Sequence, residues 1–168
     1  MATEAILSGP ITSRDTVPID FMEARRASGN IKVAVGTVEL AVKDIGSTYR
    51  MCEVPSNAII HMVEVSSDVG VVAALANVGI HQNTENGGLV VDADFFGSAV
   101  DLEAAALANS RIEHESAAYG IEDVEKELWS ALGLSADTDR TYDIVITTTV
   151  AATTGGTVSL RVWYTTSQ

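Results

Sequence analysis

The clearest alternation of apolar and polar positions lies near the C-terminal end, from Arg140 to Thr166. Tyr142, Ile144, Ile146, Thr148 and Val150 alternate with Asp143, Val145, Thr147 and Thr149. Past Thr153-Thr154-Gly155-Gly156 the alternation resumes, with Val158, Leu160, Val162 and Tyr164 on one face and Thr157, Ser159, Arg161, Trp163 and Thr165 on the other. A period of two in β-branched and aromatic residues is that of strands with one buried face, and paired glycines supply the positive φ of a tight connection. The pattern predicts a C-terminal β-hairpin. Its outer face is mostly threonine and serine, which suits a wet surface or a polar partner and offers no catalytic chemistry.

Upstream, residues 31–42 read as a strand in which Ile31, Val33 and Val35 point one way. Val38, Leu40 and Val42 keep the period in the opposite phase. The change falls at Gly36-Thr37 and predicts a bulge or bend there. Residues 48–54 form a second predicted strand, stopped by Pro55-Ser56-Asn57, and 58–66 a third, apolar on both faces at its start and so placed centrally. Residues 77–82 and 89–91 read as strands flanking a turn at 84–88, and 111–116 as another short strand. Residues 100–108 suggest a short helix. The only strong helical stripe is Ile121, Val124, Leu128 and Leu132, with carboxylates at its start and Gly133 as a stop. About eight short strands with turns roughly every ten residues predict a mainly all-β fold: a β-sandwich or jelly-roll-like body over residues 31–168 with one short helix. Residues 1–30 have weak periodicity, two prolines and scattered apolar anchors, and read as an extended N-terminal arm with a helical turn at Phe21 to Ala27.

Composition narrows the functional classes. With 46% hydrophobic residues a sizeable core is expected, and with only 5% aromatics it is built from Val, Ile, Leu and Ala. No run of about 18 apolar residues suggests a membrane helix, and the first residues lack the basic start and apolar run of a signal peptide. Cys52 is the single cysteine, read as a small buried apolar residue. The net charge of −13 argues against phosphate-backbone binding, so no nucleic-acid partner is expected. The charge is uneven: residues 1–43 hold five basic and five acidic groups, the rest five basic and 18 acidic. Arg14, Arg25 and Arg26 therefore sit in an arm suited to docking on an acidic surface.

Catalytic motifs are missing. Gly87-Gly88 and Gly155-Gly156 lack the lysine and helix of a phosphate loop, and there is no nucleophile elbow. His61, His81 and His114 fall singly on separate predicted strands, so a metal site needs them to converge. Asp92 and Asp94 share a face that could meet a calcium ion, and Glu113 and Glu115 share one that could serve glycoside chemistry. Each is more simply a structural pair, and no enzyme, cofactor or metal is expected. Trp163 beside Arg161 on an outer face has the composition of an interface anchor.

The order LAVKDIGSTYRMCEVPSNAII, NVGIHQNTENGGLVVDADFFGSAVDL, ELWSALGLSAD and YDIVITTT…GTVSLRVWY resembles a family of small structural proteins of tailed bacteriophages, the capsid cement or decoration proteins. The resemblance spans roughly residues 31–164, and VPSNAII, GGLVVDADFF and LWSALGLS are its least generic parts. It implies a sandwich or jelly-roll body and a structural role next to the major capsid protein. The expectation is a non-enzymatic protein, made in the bacterial host cytoplasm, that binds the outside of an assembled capsid as a homotrimer and stabilises it at subunit junctions. No membrane partner is expected. Arg14, Ile19, Phe21, Arg25, Arg26, Arg161 and Trp163 are the expected contacts. The alternative is a carbohydrate- or receptor-binding β-sandwich module of the virion.

Overall fold

The computed structural model describes residues 30–40, 45–68, 71–72, 74–103, 110–150 and 152–166. The arm, and with it Arg14, Ile19, Phe21, Arg25 and Arg26, lies outside the described residues. Eight strands follow in order: β1 Lys32–Leu40, β2 Thr48–Pro55, β3 Ala58–Ser67, β4 Leu75–Gln82, β5 Val90–Asp101, β6 Ser110–Arg111, β7 Thr141–Val150 and β8 Gly156–Thr166. They form two antiparallel four-stranded sheets, ordered β1-β8-β3-β6 (sheet A) and β2-β7-β4-β5 (sheet B). The all-β sandwich read from the sequence is present. Its pairing is nested, β1 with β8, β2 with β7, β3 with β6 and β4 with β5.

That order overturns the predicted C-terminal hairpin. Both strands exist with the predicted inward faces, but β7 belongs to sheet B and β8 to sheet A. Ile144 and Ile146 and, from the other sheet, Val158, Leu160 and Val162 contribute to one buried core. Alternation reports which face of a strand is buried; it is silent on whether the next strand lies beside it or across the core. The two-residue Ser56-Asn57 turn likewise carries the chain from sheet B to sheet A.

The predicted bulge at Gly36-Thr37 is also corrected. β1 pairs with β8 without interruption from Lys32–Tyr164 to Leu40–Gly156. Ala34, Gly36, Val38 and Leu40 face inward, and Ile31, Val33 and Val35 face out. The apparent change of phase is one straight strand with apolar residues on both faces in different halves. Gly36 has another role: a Cβ there would meet the backbone oxygen of Met51 at 1.8 Å, so only glycine lets β1 approach β2 this closely.

In sheet B, three residues of β4 (Val78 to Ile80) span six of β5 (Gly97 to Asp92). The excess chain places both Phe95 and Phe96 in the core and brings the backbone of Asp92 and Ala93 onto Gly79, where a Cβ would meet it at 2.3 Å. Residues 100–101, expected to open a helix, continue β5; residues 104–108 lie outside the described ones.

The predicted helix over 121–134 shrinks to a 3₁₀ turn, Ile121–Asp123, and a single turn of α-helix, α1, Leu128–Ala131. Tertiary pairing outcompetes the stripe here. Glu127 takes an extended conformation and bridges Ile59, and the Trp129 N–H donates to the Ser56 carbonyl at 2.9 Å. Ile121, a member of the predicted buried stripe, is 75% exposed. Gly133 does end α1, with φ +73°.

Tyr119 pins this loop region to the sandwich. It is fully buried between Phe95, Phe96 and His114, and its hydroxyl lies 3.0 Å from the Ile60 carbonyl and 3.3 Å from that of Asp123. Tyr119→Phe should cost about 1–2 kcal/mol through the lost hydroxyl hydrogen bond, and Tyr119→Ala about 3–5 kcal/mol through the added cavity. Urea unfolding of both variants separates the two contributions. Equal losses would mean that the ring contributes nothing.

Candidate interaction surface

The outer face of sheet A is a ladder of cross-strand rows set by register. Val33 lies opposite Trp163, which lies opposite Met62; Val35 opposite Arg161, opposite Glu64; Thr37 opposite Ser159, opposite Ser66. The last row on β1 joins Glu39 to Thr157. The rows grade from apolar to acidic along the strands. At the polar end, Thr157 donates from its hydroxyl to Glu39 at 2.9 Å and from its N–H to Asp68 at 3.0 Å. In the middle, Arg161 Nη1 donates to Glu64 Oε1 at 2.7 Å. At the apolar end nothing covers β1 among the described residues: Ile31 is 65%, Val33 46% and Val35 56% exposed.

Single exposed aliphatic residues are ordinary; Val33 and Val35 at alternate positions of the edge strand β1, with Ile31 just before it, lie beside a half-buried tryptophan and an ion-paired arginine and form an exposed apolar patch. Arg161 and Trp163, expected from the sequence as contacts, lie side by side in adjacent rows. The sequence reading gives Ile31, Val33 and Val35 one shared face without saying that this face is the outer one. Two apolar phases within one strand are the available signal. A separate apolar run, Leu89 to Val91, is exposed where β5 begins at the edge of sheet B.

Three carboxylates considered for chemistry, Glu113, Glu115 and Asp92, have structural tasks. Glu113 is buried and accepts the Val63 N–H at 3.2 Å, while the Ile112 N–H donates to the Val63 carbonyl at 2.9 Å. This carboxylate continues the edge of β3 where the two-residue β6 stops, so the predicted strand over 111–116 is cut short. Glu115 accepts the Ser98 N–H at 2.6 Å. Asp92 accepts the Asp94 N–H at 3.1 Å, and burial, with its neighbour Asp94 adding, pushes the Asp92 carboxyl above the usual range. The histidines do not converge: His61 meets Thr165, His114 stacks on Tyr119, and His81 is buried in sheet B with Nε2 unpartnered. Among the described residues no group of three or more His, Cys, Asp or Glu is placed to hold a metal ion. No helix among them is long and apolar enough to cross a membrane.

Cys52, read from the sequence as buried, is only partly buried and packs against the core. Burial, with the Asp143 charge adding, pushes its thiol up to about 12. The thiolate fraction at pH 8 is then about one in ten thousand, so a thiol reagent should label the native chain only after unfolding. The folded value is raised above the unfolded one near 9.0. Stability from this group is therefore complete below pH 9 and is lost as pH rises from there towards 12. Melting at about pH 8 and about pH 10.5, with and without Cys52→Ala, measures it; an unchanged alkaline slope in the variant would remove Cys52 as the cause.

No protein-family model matches the chain, and no curated protein matches it in sequence. Two solved structures share the fold. One is a chain of the capsid asymmetric unit of cyanophage Pam1, with TM-score 0.54 and 19% identity, over 83% of this chain and 86% of that chain. The other is a chain of the capsid of Ralstonia phage GP4, with TM-score 0.59 and 13% identity, over the same shares. At these identities the likeness is one of fold, and it runs along most of both chains.

Proposed function

We propose that this chain is a virion structural protein of a tailed bacteriophage that binds the outside of the assembled shell and stabilises it at subunit junctions. The observation that carries this reading is the exposed Ile31-Val33-Val35 row beside Trp163, on a fold shared with chains of two phage capsids. The surface supplies apolar area and an arginine–tryptophan anchor for binding, and Glu113, Glu115 and Asp92 are engaged by backbone N–H groups. The mechanism is mechanical: a protein that binds only the assembled shell raises the free energy of disassembly by its binding free energy.

The partner in this reading is the major capsid protein, contacted by Arg161 and Trp163 and by the arm through Arg14, Ile19, Phe21, Arg25 and Arg26. The chain acts as a homotrimer. Separate apolar surfaces on β1 in sheet A and at the start of β5 in sheet B support this, because a closed ring joins two different patches of each copy. A mass near three times 17.7 kDa by light scattering is the expected result; a monomer would place assembly on the shell alone.

The direct test is decoration. Phage shells assembled without this chain are mixed with purified protein, sedimented and heated. Bound protein should accompany the shells and raise their disruption temperature. Deleting residues 1–28 should leave the body folded and abolish binding, and full occupancy by the truncated chain would sink the role given to the arm. Binding to a glycan or cell surface with no binding to shells would favour the carbohydrate- or receptor-binding module instead.

A further inference from the structure

Near the end of β4 lies a histidine whose surroundings accept only its neutral form. His81 is 5% exposed, and its Nε2 has no partner among the described residues. A neutral imidazole can leave one ring nitrogen as an unused acceptor, whereas an imidazolium has two N–H donors and needs an acceptor for each. The carboxylate next in register is Asp143, opposite His81 across β4 and β7. It is already taken, because Arg50 Nη1 donates to Asp143 Oδ2. The same guanidinium holds the loop that follows β4: Nη1 also donates to the Gln82 carbonyl at 2.9 Å, and Nη2 to the Gly88 carbonyl at 3.1 Å. One side chain thus fastens both ends of the 83–87 segment to β2. We propose that His81 makes this loop acid-sensitive: protonation of the buried ring displaces Arg50 from Asp143, and the loop, with the exposed apolar run 89–91 behind it, comes free of β2.

The loop is the part that gives way because of how each group is held. The Arg50 side chain is 36% exposed and turns readily into water, while that of Asp143 is 16% exposed and His81 is enclosed in sheet B. The loop's other bonds are largely its own: the Asn86 N–H donates to the Asn83 side chain at 2.9 Å and the Gly88 N–H to the Asn83 carbonyl at 2.9 Å. Its tie to β7 is the single bond from Asn83 Nδ2 to Thr141 Oγ1 at 2.9 Å. No other carboxylate is placed to replace Asp143. On β2, Glu53 is exposed and lies on the far side of Asp143 from β4, and the Cys52 thiol is neutral. On β5, His81 faces Val90, and Asp92, opposite Ile80, accepts the Asp94 N–H. Glu85 is exposed in the loop itself. Burial first, and the Arg50 charge second, hold the ring below its ordinary value of 6.5, against the opposing pull of Asp143. A folded value below the unfolded one means that the stability is complete above pH 6.5 and is lost as pH falls from there through the folded value.

The switch does not depend on shell binding and is read on the free, full-length chain, so the two can fail separately. Hydrogen exchange is measured at about pH 7.5 and about pH 5 and corrected for the intrinsic rate at each. The amides of Gln82, Asn86 and Gly88 should open about tenfold more often at the lower pH, while those of Val158, Leu160 and Val162 in β8 stay within about twofold. In His81→Gln the rise in the loop should vanish. Equal loosening of the loop and β8 would mean general acid unfolding, and a rise that survives in His81→Gln would assign it to carboxylates; either overturns the proposal. Should the variant fold poorly, an NMR titration of the unmodified chain decides. His81 should titrate below 6.5, with the Gly88 amide following the same curve. A His81 value of 6.5 or above, or a Gly88 amide indifferent to that titration, would overturn the proposal as well.

Discussion

Replacing Gly36 by alanine should destabilise the protein by about 3 kcal/mol or more, the upper end of what overpacking a well-filled interior costs. The reason is the obstacle. The added Cβ would meet backbone atoms of Met51, the oxygen at 1.8 Å and the carbonyl carbon at 2.4 Å, and backbone cannot rotate out of the way. β1 is held by an unbroken register to β8, and Met51, at the irregularity in β2, is flanked by the pairs Arg50–Val145 and Cys52–Ile144, so relief means moving one sheet against the other. A domain with a typical total stability of about 5–15 kcal/mol loses a large share of it. Thr37→Ala, one residue on, points outward and should change stability by about 0.5 kcal/mol or less. Urea denaturation of the pair decides the matter; equal midpoints would mean that β1 and β2 do not meet as described.

Val33→Asp combined with Trp163→Ala should weaken shell binding by at least about a hundredfold, the loss of one to two hot spots at about 2 kcal/mol or more each. The two residues lie opposite one another on the outer face of sheet A, so the change removes the apolar end of the ladder and leaves the core residues Val162 and Leu160 in place. Circular dichroism and the melting temperature should stay close to those of the parent. Sedimentation with shells measures the effect, and undiminished occupancy would move the docking face elsewhere, with the run Leu89 to Val91 next to be tested. Arg161→Ala should have a smaller effect, because its guanidinium is already paired with Glu64.

Individual elements show where sequence reasoning holds. β2, β3, β4, β7 and β8 are legible within a residue or two because their inward positions are largely β-branched and their ends are marked by Pro55-Ser56-Asn57, Asn83 to Gly88 and the glycines after Ala152. The stretch 121–134 misleads because helical spacing is a weak local preference, and the bridge from Glu127 to Ile59 depends on a strand some 70 residues away. The long excursion of β5 is illegible for the same reason: the fit of Ala93 over Gly79 is a contact between backbones, and it appears in the sequence only as a glycine.

For the candidate surface the division is similar. Trp163 and Arg161 are readable from alternation alone, since they occupy polar-phase positions of a strand whose other phase is plainly core. Ile31, Val33 and Val35 are not, since an aliphatic residue in a strand is compatible with either face. By itself the sequence determined most of the strands, the buried faces of β7 and β8 and the mainly β class, because periodicity is local and a strand's pleat converts it directly into sides. Only the tertiary structure decided which strands lie beside one another and which lie across the core, and therefore which apolar row is left on the outside. Those choices are made by contacts between residues far apart in the chain, and a period of two carries no record of them.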